Sequence, residues 1–241
     1  MGKNPFRAYQ DLILGNRSLS SLIWFELVMF LGCFPGGLGA VLRKALYPSL
    51  LGSCGRGCIF GRGVSFRHPR KIHLGNSVIV DDNALLDAKG SNNRGLFLGN
   101  EVYIGRNTII YTKDGDIELD DKVNISHNCE LFSNGLLKIG AGTVVAAYTY
   151  ILNGGTYDIN TSLPFSEQAG DLSKGPTMVG QNVWIAAHAV IMDNSFIGDG
   201  AVIGAGSLVR GNIPSRTLAL GMPARVVRKL ECDYINSAKQ F

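Results

Sequence analysis

Four histidines, His68, His73, His127 and His188, are the side chains whose charge changes most readily near neutral pH, and so the first candidates for moving a proton. His68 and His73 stand early in the chain and read as surface residues, and no histidine lies between residues 128 and 187. Asp158 ends the stretch Leu152-Asn-Gly-Gly-Thr-Tyr-Asp158. It could act as a base only if burial raised its pKa well above the carboxylate range, and a loop aspartate is more often a turn former. Arg210, Arg225 and Arg228 gather near the C-terminus. A guanidinium is a rigid, permanently charged donor suited to phosphate; the alternative is an ordinary solvated basic end. The five cysteines, Cys33, Cys54, Cys58, Cys129 and Cys232, are odd in number and scattered. Cys54 and Cys58 have no second pair to complete a zinc site, so reduced thiols and no metal are expected.

These residues are set in a repeat. From Leu74 onward an aliphatic side chain recurs every six positions: Leu74, Val80 and Leu86, then Leu98, Ile104 and Ile110, and so on through Ile197, Ile203 and Val209. Neither a 3.6-residue nor a two-residue period explains this. A triangular coil with three short strands per 18-residue turn does, with each aliphatic residue pointing into the prism. Two positions earlier stands a second inward residue, small or branched, such as Val78, Ala84, Thr108 or Cys129. Gly and Asn fall at the corners, where the chain must turn sharply. The expectation is an all-β left-handed parallel β-helix.

The frame locates insertions. Leu86 to Leu98 carries six extra residues and Ile151 to Val179 carries 22, all leaving the corner after the third strand. A long loop on a rigid scaffold is a natural place for function, which singles out residues 153–177 and, within them, Gly154, Gly155, Thr156 and Tyr157. Trp184 stands one position before an inward Ile185, so its ring should point outward. The expected organisation is an apolar helical segment over 1–52, the β-helix over 53–211 and a C-terminal cap and tail over 212–241.

Apolar residues make up 46% and charged residues 17% of the 241, as in a folded protein. The net charge of +4 is uneven: residues 1–71 carry +8 and the remainder −4. A basic end on an acidic body suits an anionic surface. No nucleic-acid-reading motif is present, and nucleic acid is not expected as a partner. Leu22 to Phe34 is a 13-residue apolar run with Glu26 inside it, too short to span a bilayer, and Pro35-Gly36-Gly37 ends it. It either caps the open end of the solenoid or lies in a membrane interface with Trp24 and the phenylalanines buried and Arg17, Arg43 and Lys44 at headgroup level. Both can hold together. No secretory signal is evident, so a cytoplasmic protein, peripheral at the inner membrane face, is expected.

The repeat, together with Gln181-Asn-Val-Trp-Ile-Ala-Ala-His188, Ile197-Gly-Asp-Gly-Ala-Val-Ile-Gly-Ala-Gly-Ser-Leu-Val209 and Gly221-Met-Pro-Ala-Arg-Val-Val-Arg228, resembles the hexapeptide-repeat acyltransferases. The branch most like it is the galactoside, maltose and polysaccharide O-acetyltransferases, over roughly residues 55–230. The resemblance implies a homotrimer with acetyl-CoA between subunits. It implies that Ala187 and Ala205 border the CoA arm and that Arg210, Arg225 and Arg228 meet its phosphates; the outward Trp184 ring offers a flat wall against which that arm or a sugar can pack. It also implies a glycan hydroxyl as acceptor. The family's base is a histidine in the long loop just after one or two glycines; here Gly155 or Thr156 stands there, and Ser133 occupies the serine acetyltransferase position. His188 and Asp158 are then the remaining candidates for the base. A chain without a base would be a non-catalytic scaffold, and transfer to an amino-sugar nitrogen would need a weaker base than transfer to a hydroxyl.

Overall fold

The computed structural model describes residues 4–168 and 173–231. Three helices, α1 (Pro5–Ile13), α2 (Leu19–Gly32) and α3 (Gly36–Leu46), precede a left-handed parallel β-helix of about eight turns. Of the cysteines above, Cys232 lies outside the described residues, as does part of the long loop and the tail beyond Glu231.

The three walls of the prism are parallel sheets. The first has eight strands, from Ser53–Cys54 to Asn212–Ile213, and the third has seven, from Ser65–Arg67 to Leu208–Val209. The second runs from Ile59–Phe60 to Thr217–Gly221 and ends on an antiparallel ninth strand, Ala224–Lys229. Every other lateral pairing is parallel, and the six-residue frame sets the register: Leu74 lies beside Leu98, Ile125 beside Val145, Ile151 beside Ile191. Strands two to four residues long could not stand alone; stacking of identical coils gives each N–H and C=O a partner in the next coil.

The aliphatic positions of the repeat form the core as expected. Val80, Ile104, Ile125, Val145, Ile185 and Ile203 are wholly buried, one above another. The second inward ladder is also buried, and its polar members are satisfied: Thr143 Oγ1 donates to Gly180 O at 2.8 Å and accepts from Val183 N at 3.1 Å. The expected insertions all leave the third corner, after Asp87, Thr112, Ser133 and Asn153.

Ser18 caps α2, accepting from Ser21 N at 3.3 Å, and Leu22, Phe25 and Val28 on one side of the helix join the solenoid core. Tyr47 closes the open end, its ring edge-on to Phe60 and Phe66 at 5.5 and 5.3 Å. The helices therefore cap the prism. Two expectations are corrected here. Arg43 does not reach a surface: its guanidinium is buried and donates to Phe60 O, Gly32 O and Phe34 O, tying the α2–α3 junction to the first coil. His68 is not a surface residue either; it is buried, with its Nε2 2.9 Å from Asp11 O of α1. Burial pushes its pKa below the usual value.

Candidate functional site

The long loop begins as the third-sheet strand Tyr150–Asn153 ends. Its two ends are drawn together by one carboxylate. Asp193 Oδ1 accepts from Gly154 N at 2.8 Å, Asn153 Nδ2 at 3.1 Å and Ser173 Oγ at 3.0 Å, while Oδ2 accepts from Lys174 N at 2.8 Å. Asn153 is itself buried and also donates to Gly175 O at 2.7 Å. A short polar side chain beneath a loop base is the economical way to satisfy backbone groups that have left the ladder.

Within the loop, Asp158 Oδ1 accepts from Asn160 N at 2.8 Å, so this carboxylate is exposed and forms a turn. Gln168 bridges the segment, accepting from Asp158 N and donating to Asp158 O and Leu163 O. Tyr157 packs edge-on to Phe165 at 5.7 Å. Gly154 and Gly155 both have left-handed backbone, φ 95° and 77°, which carries the chain over Phe132 and Leu152 on the outer face of the third sheet. Thr156, the other position that the resemblance gives to a histidine, is half-buried beside them.

The opposite edge of the third sheet is the second corner. There Asn83, Asn107 and Asn128 take the left-handed turn in successive coils, but Tyr148 and His188 take it in the next two, at φ 60° and 59°. A bulky residue pays a conformational penalty in this region, about 1 kcal/mol, and its presence invites a functional reason. The rings stack at 5.0 Å and 3°, with His127 edge-on to Tyr148 at 5.8 Å. The next coil has Gly206 at this corner, where an added side chain would meet nothing within 4 Å, so a gap continues the column.

Between these two edges lies a strand of four residues, about 13 Å at roughly 3.3 Å per residue. Its outer face carries Glu130 and Tyr150 side by side, with Tyr111 on the preceding coil beside Phe132. Burial first, then the nearby Tyr150 and Glu130, pushes the Tyr111 phenol well above its usual pKa. Tyr150 is raised by burial and by Glu130. The Tyr111 ring also leans on Phe132 at 4.8 Å. A carboxylate flanked by two phenols over an apolar floor is suited to binding a polyol and receiving a proton. Sequence reading missed this group. Its only signal was polar and aromatic types at outward third-strand positions of consecutive coils, which the repeat leaves unconstrained.

The residues assigned to the CoA arm lie on the second sheet and its corner. Trp184 is exposed and points outward as expected, between Val144 and Val202 on the neighbouring strands. The corner beyond it is lined by small residues, Ala186-Ala187 and Gly204-Ala205-Gly206. Ala187 O accepts from Gly206 N at 2.9 Å, whereas the N–H groups of Ala187 and Ala205 donate to no other described residue. The apolar strip runs on to Leu218, whose antiparallel partner is Arg228; Arg225 pairs with Leu220 in the same hairpin. Arg210, Arg225 and Arg228 are exposed and make no ion pair among the described residues. The structure thus brings Trp184, Ala187 and Ala205 to one side of the prism and the hairpin arginines to its far end. His188 and the described loop residues stand at opposite edges of the third sheet and do not touch within one chain.

Residues 176–211 match the family model of the bacterial transferase hexapeptide, six repeats. The matched stretch spans two coils of the solenoid, from Thr177–Val179 to Leu208–Val209. Among relatives of this chain is an Escherichia coli protein carrying the name "Putative lipopolysaccharide biosynthesis O-acetyl transferase WbbJ", 29% identical over 120 residues, 48% of this chain and 61% of that one. The chain spans 48–61% of the length of the first curated relatives it matches. The polysialic acid O-acetyltransferase OatWY has the same fold, with a TM-score of 0.61 at 15% identity over 77% of this chain and 90% of its own. So does an N-acyltransferase from Bacillus cereus, AntD, solved with dTDP and coenzyme A, at TM-score 0.56 and 22% identity over 78% of this chain and 90% of its own.

Proposed function

We propose that this protein transfers an acetyl group from acetyl-CoA to a hydroxyl of a glycan or polysaccharide precursor, working as a homotrimer beside a membrane. The observation that carries the reading is the third-sheet floor: an apolar patch with Glu130, Tyr111 and Tyr150 above it, bounded by the Asp193-clamped loop on one edge and the Tyr148–His188 stack on the other. The repeat type and the acyltransferase relatives support acyl transfer as the chemistry done there.

In this reading the pantetheine arm runs along Trp184, with its amides against the Ala187 and Ala205 N–H groups, and the CoA phosphates meet Arg210, Arg225 and Arg228. The acceptor hydroxyl attacks the thioester carbonyl. The C–O bond forms, the C–S bond breaks, and the hydroxyl proton passes to a base on the protein and then to the CoA thiolate. Two side chains on the floor can take that proton, His188 at one edge and Glu130 in the middle; Asp158, exposed on the loop, joins them only where a second subunit covers it. Exposed apolar side chains on the loop (Ile159, Leu163 and Phe165) and on the second sheet (Val144 and Trp184) support subunit packing that would bring one chain's loop to another's second corner.

The test is turnover. With acetyl-CoA and a panel of cell-envelope glycans, His188→Ala, Glu130→Gln and Asp158→Asn are measured in parallel. Loss of the base should lower kcat by roughly 10²–10⁴ with CoA affinity unchanged. Equal turnover in all three variants would remove these residues from the chemistry. Transfer confined to amine acceptors would favour the N-acyltransferase alternative, and CoA binding without any transfer would favour a scaffold.

A further inference from the structure

We propose that the outer face of the N-terminal helices docks flat on an anionic lipid bilayer. The location named above is made specific by this surface, but the docking does not depend on acyl transfer.

Helix α2 is apolar on all sides, yet only one side is covered. Leu22, Phe25 and Val28 pack on the solenoid, while Leu19, Ile23, Leu27 and Phe30 face outward, with Phe34 just beyond the helix. Ile23 is 61% and Phe30 68% exposed, so these are whole side chains in water and not edges of a core. The neighbouring helices extend the surface. Tyr9 of α1 is hydrogen-bonded to Glu26 of α2, and α1 adds exposed Phe6 and Leu12; α3, packed along α2, adds Leu38 and Val41. A helix hydrophobic all round belongs in an apolar environment on every side, and a patch of this extent is unusual on a free monomer.

The occupant is argued from charge and length. The face sits at the basic end of an otherwise acidic molecule, +8 over residues 1–71 against −4 beyond. Arg7 and Lys44 are exposed on the helices themselves, and Arg56 and Arg62 on the adjoining coil. That polarity orients the helical end toward an anionic surface and the body away from it. At 14 residues α2 is about 21 Å long, and no described helix is long and apolar enough to cross a membrane. The helices therefore lie in the interface plane, with the apolar side chains among the acyl chains.

The same geometry fixes the height of the candidate site. In the third sheet, four strand spacings separate Ser65–Arg67 of the first coil from Tyr150–Asn153 at the loop base, about 19 Å at ~4.8 Å each. A docked molecule would hold its loop some way above the headgroups, within reach of sugars extending from a lipid-linked acceptor.

The experiment is vesicle co-sedimentation of the full chain with phosphatidylcholine vesicles containing phosphatidylglycerol, compared with phosphatidylcholine alone. A double variant, Ile23→Glu with Phe30→Glu, places charges only at exposed positions, and its thermal unfolding is measured to show an intact fold. The wild-type chain should bind the anionic vesicles, at least tenfold more weakly as salt is raised or as the anionic lipid is omitted. The double variant should lose binding at least tenfold. Wild-type protein remaining in the supernatant, or a folded variant that binds as the wild type does, would overturn the proposal. So would a variant that changes only the oligomeric mass by light scattering, since the face would then be a contact between copies of this chain.

Discussion

Asp193→Ala should open the long loop without unfolding the solenoid. The carboxylate accepts four hydrogen bonds at 2.8–3.1 Å, two from backbone N–H groups at the loop's two ends and two from Asn153 and Ser173. Hydrogen bonds to a charged group contribute about 1.5–3 kcal/mol each in isolation, but they share one acceptor and water replaces part of the loss. A net local cost of about 2–4 kcal/mol is therefore expected, a factor of roughly 30 to 10³ in the opening equilibrium. The coils on either side keep their own ladder, and Asn153 still holds Gly175 O, so the global transition should move by only a few degrees. Amide exchange reads this directly: the protection of Gly154 and Lys174 should fall by that factor while Ile151 and Ile191 remain protected. Asp193→Asn, which retains an acceptor but no charge, should fall between. Unchanged protection at Gly154 and Lys174 in the alanine variant would show that the clamp does not hold the loop.

Arg225→Ala or Arg228→Ala should weaken CoA binding by about 1–3 kcal/mol in calorimetric titration, the range for a charged hydrogen bond, and the deficit should shrink as salt rises. If the chain lacks an effective base, Thr156→His should add turnover, whereas Gly155→His should destabilise the loop because a side chain at φ 77° is strained; gain at Gly155 and none at Thr156 would reverse this reading. The His68 imidazole is held neutral by burial, so its stabilising contribution is full above about pH 6.5 and is lost as pH falls below it. Unfolding should show that loss as pH falls below about 6.5, and His68→Gln should flatten it. Ile125→Ala, at a wholly buried rung, should cost about 2–5 kcal/mol in chemical denaturation.

The solenoid was legible because its signal repeats. Each inward aliphatic is one of a ladder, and a six-residue frame kept through successive coils exposes both the fold and its insertions. Helix α2 was legible from its apolar run, but the fate of Arg43 was not: a charged residue in an apolar stretch reads as surface until tertiary structure offers three carbonyls to it. His68 was misread for the same reason, since its partner Asp11 O is 57 residues away. The Glu130–Tyr111–Tyr150 group was invisible because outward positions carry no period. Tyr148 left a trace that went unread: it fills a corner that Asn occupies in three earlier coils.

The most direct measurement of the central claim is mass spectrometry of glycan acceptors after incubation with acetyl-CoA and the purified chain, followed by mild alkaline treatment. Acyl transfer to a hydroxyl predicts one added acetyl group that alkali removes, together with stoichiometric release of CoA. Glycans unchanged in mass while CoA binds would contradict catalysis, and an acetyl group that survives alkali would contradict the hydroxyl as its acceptor.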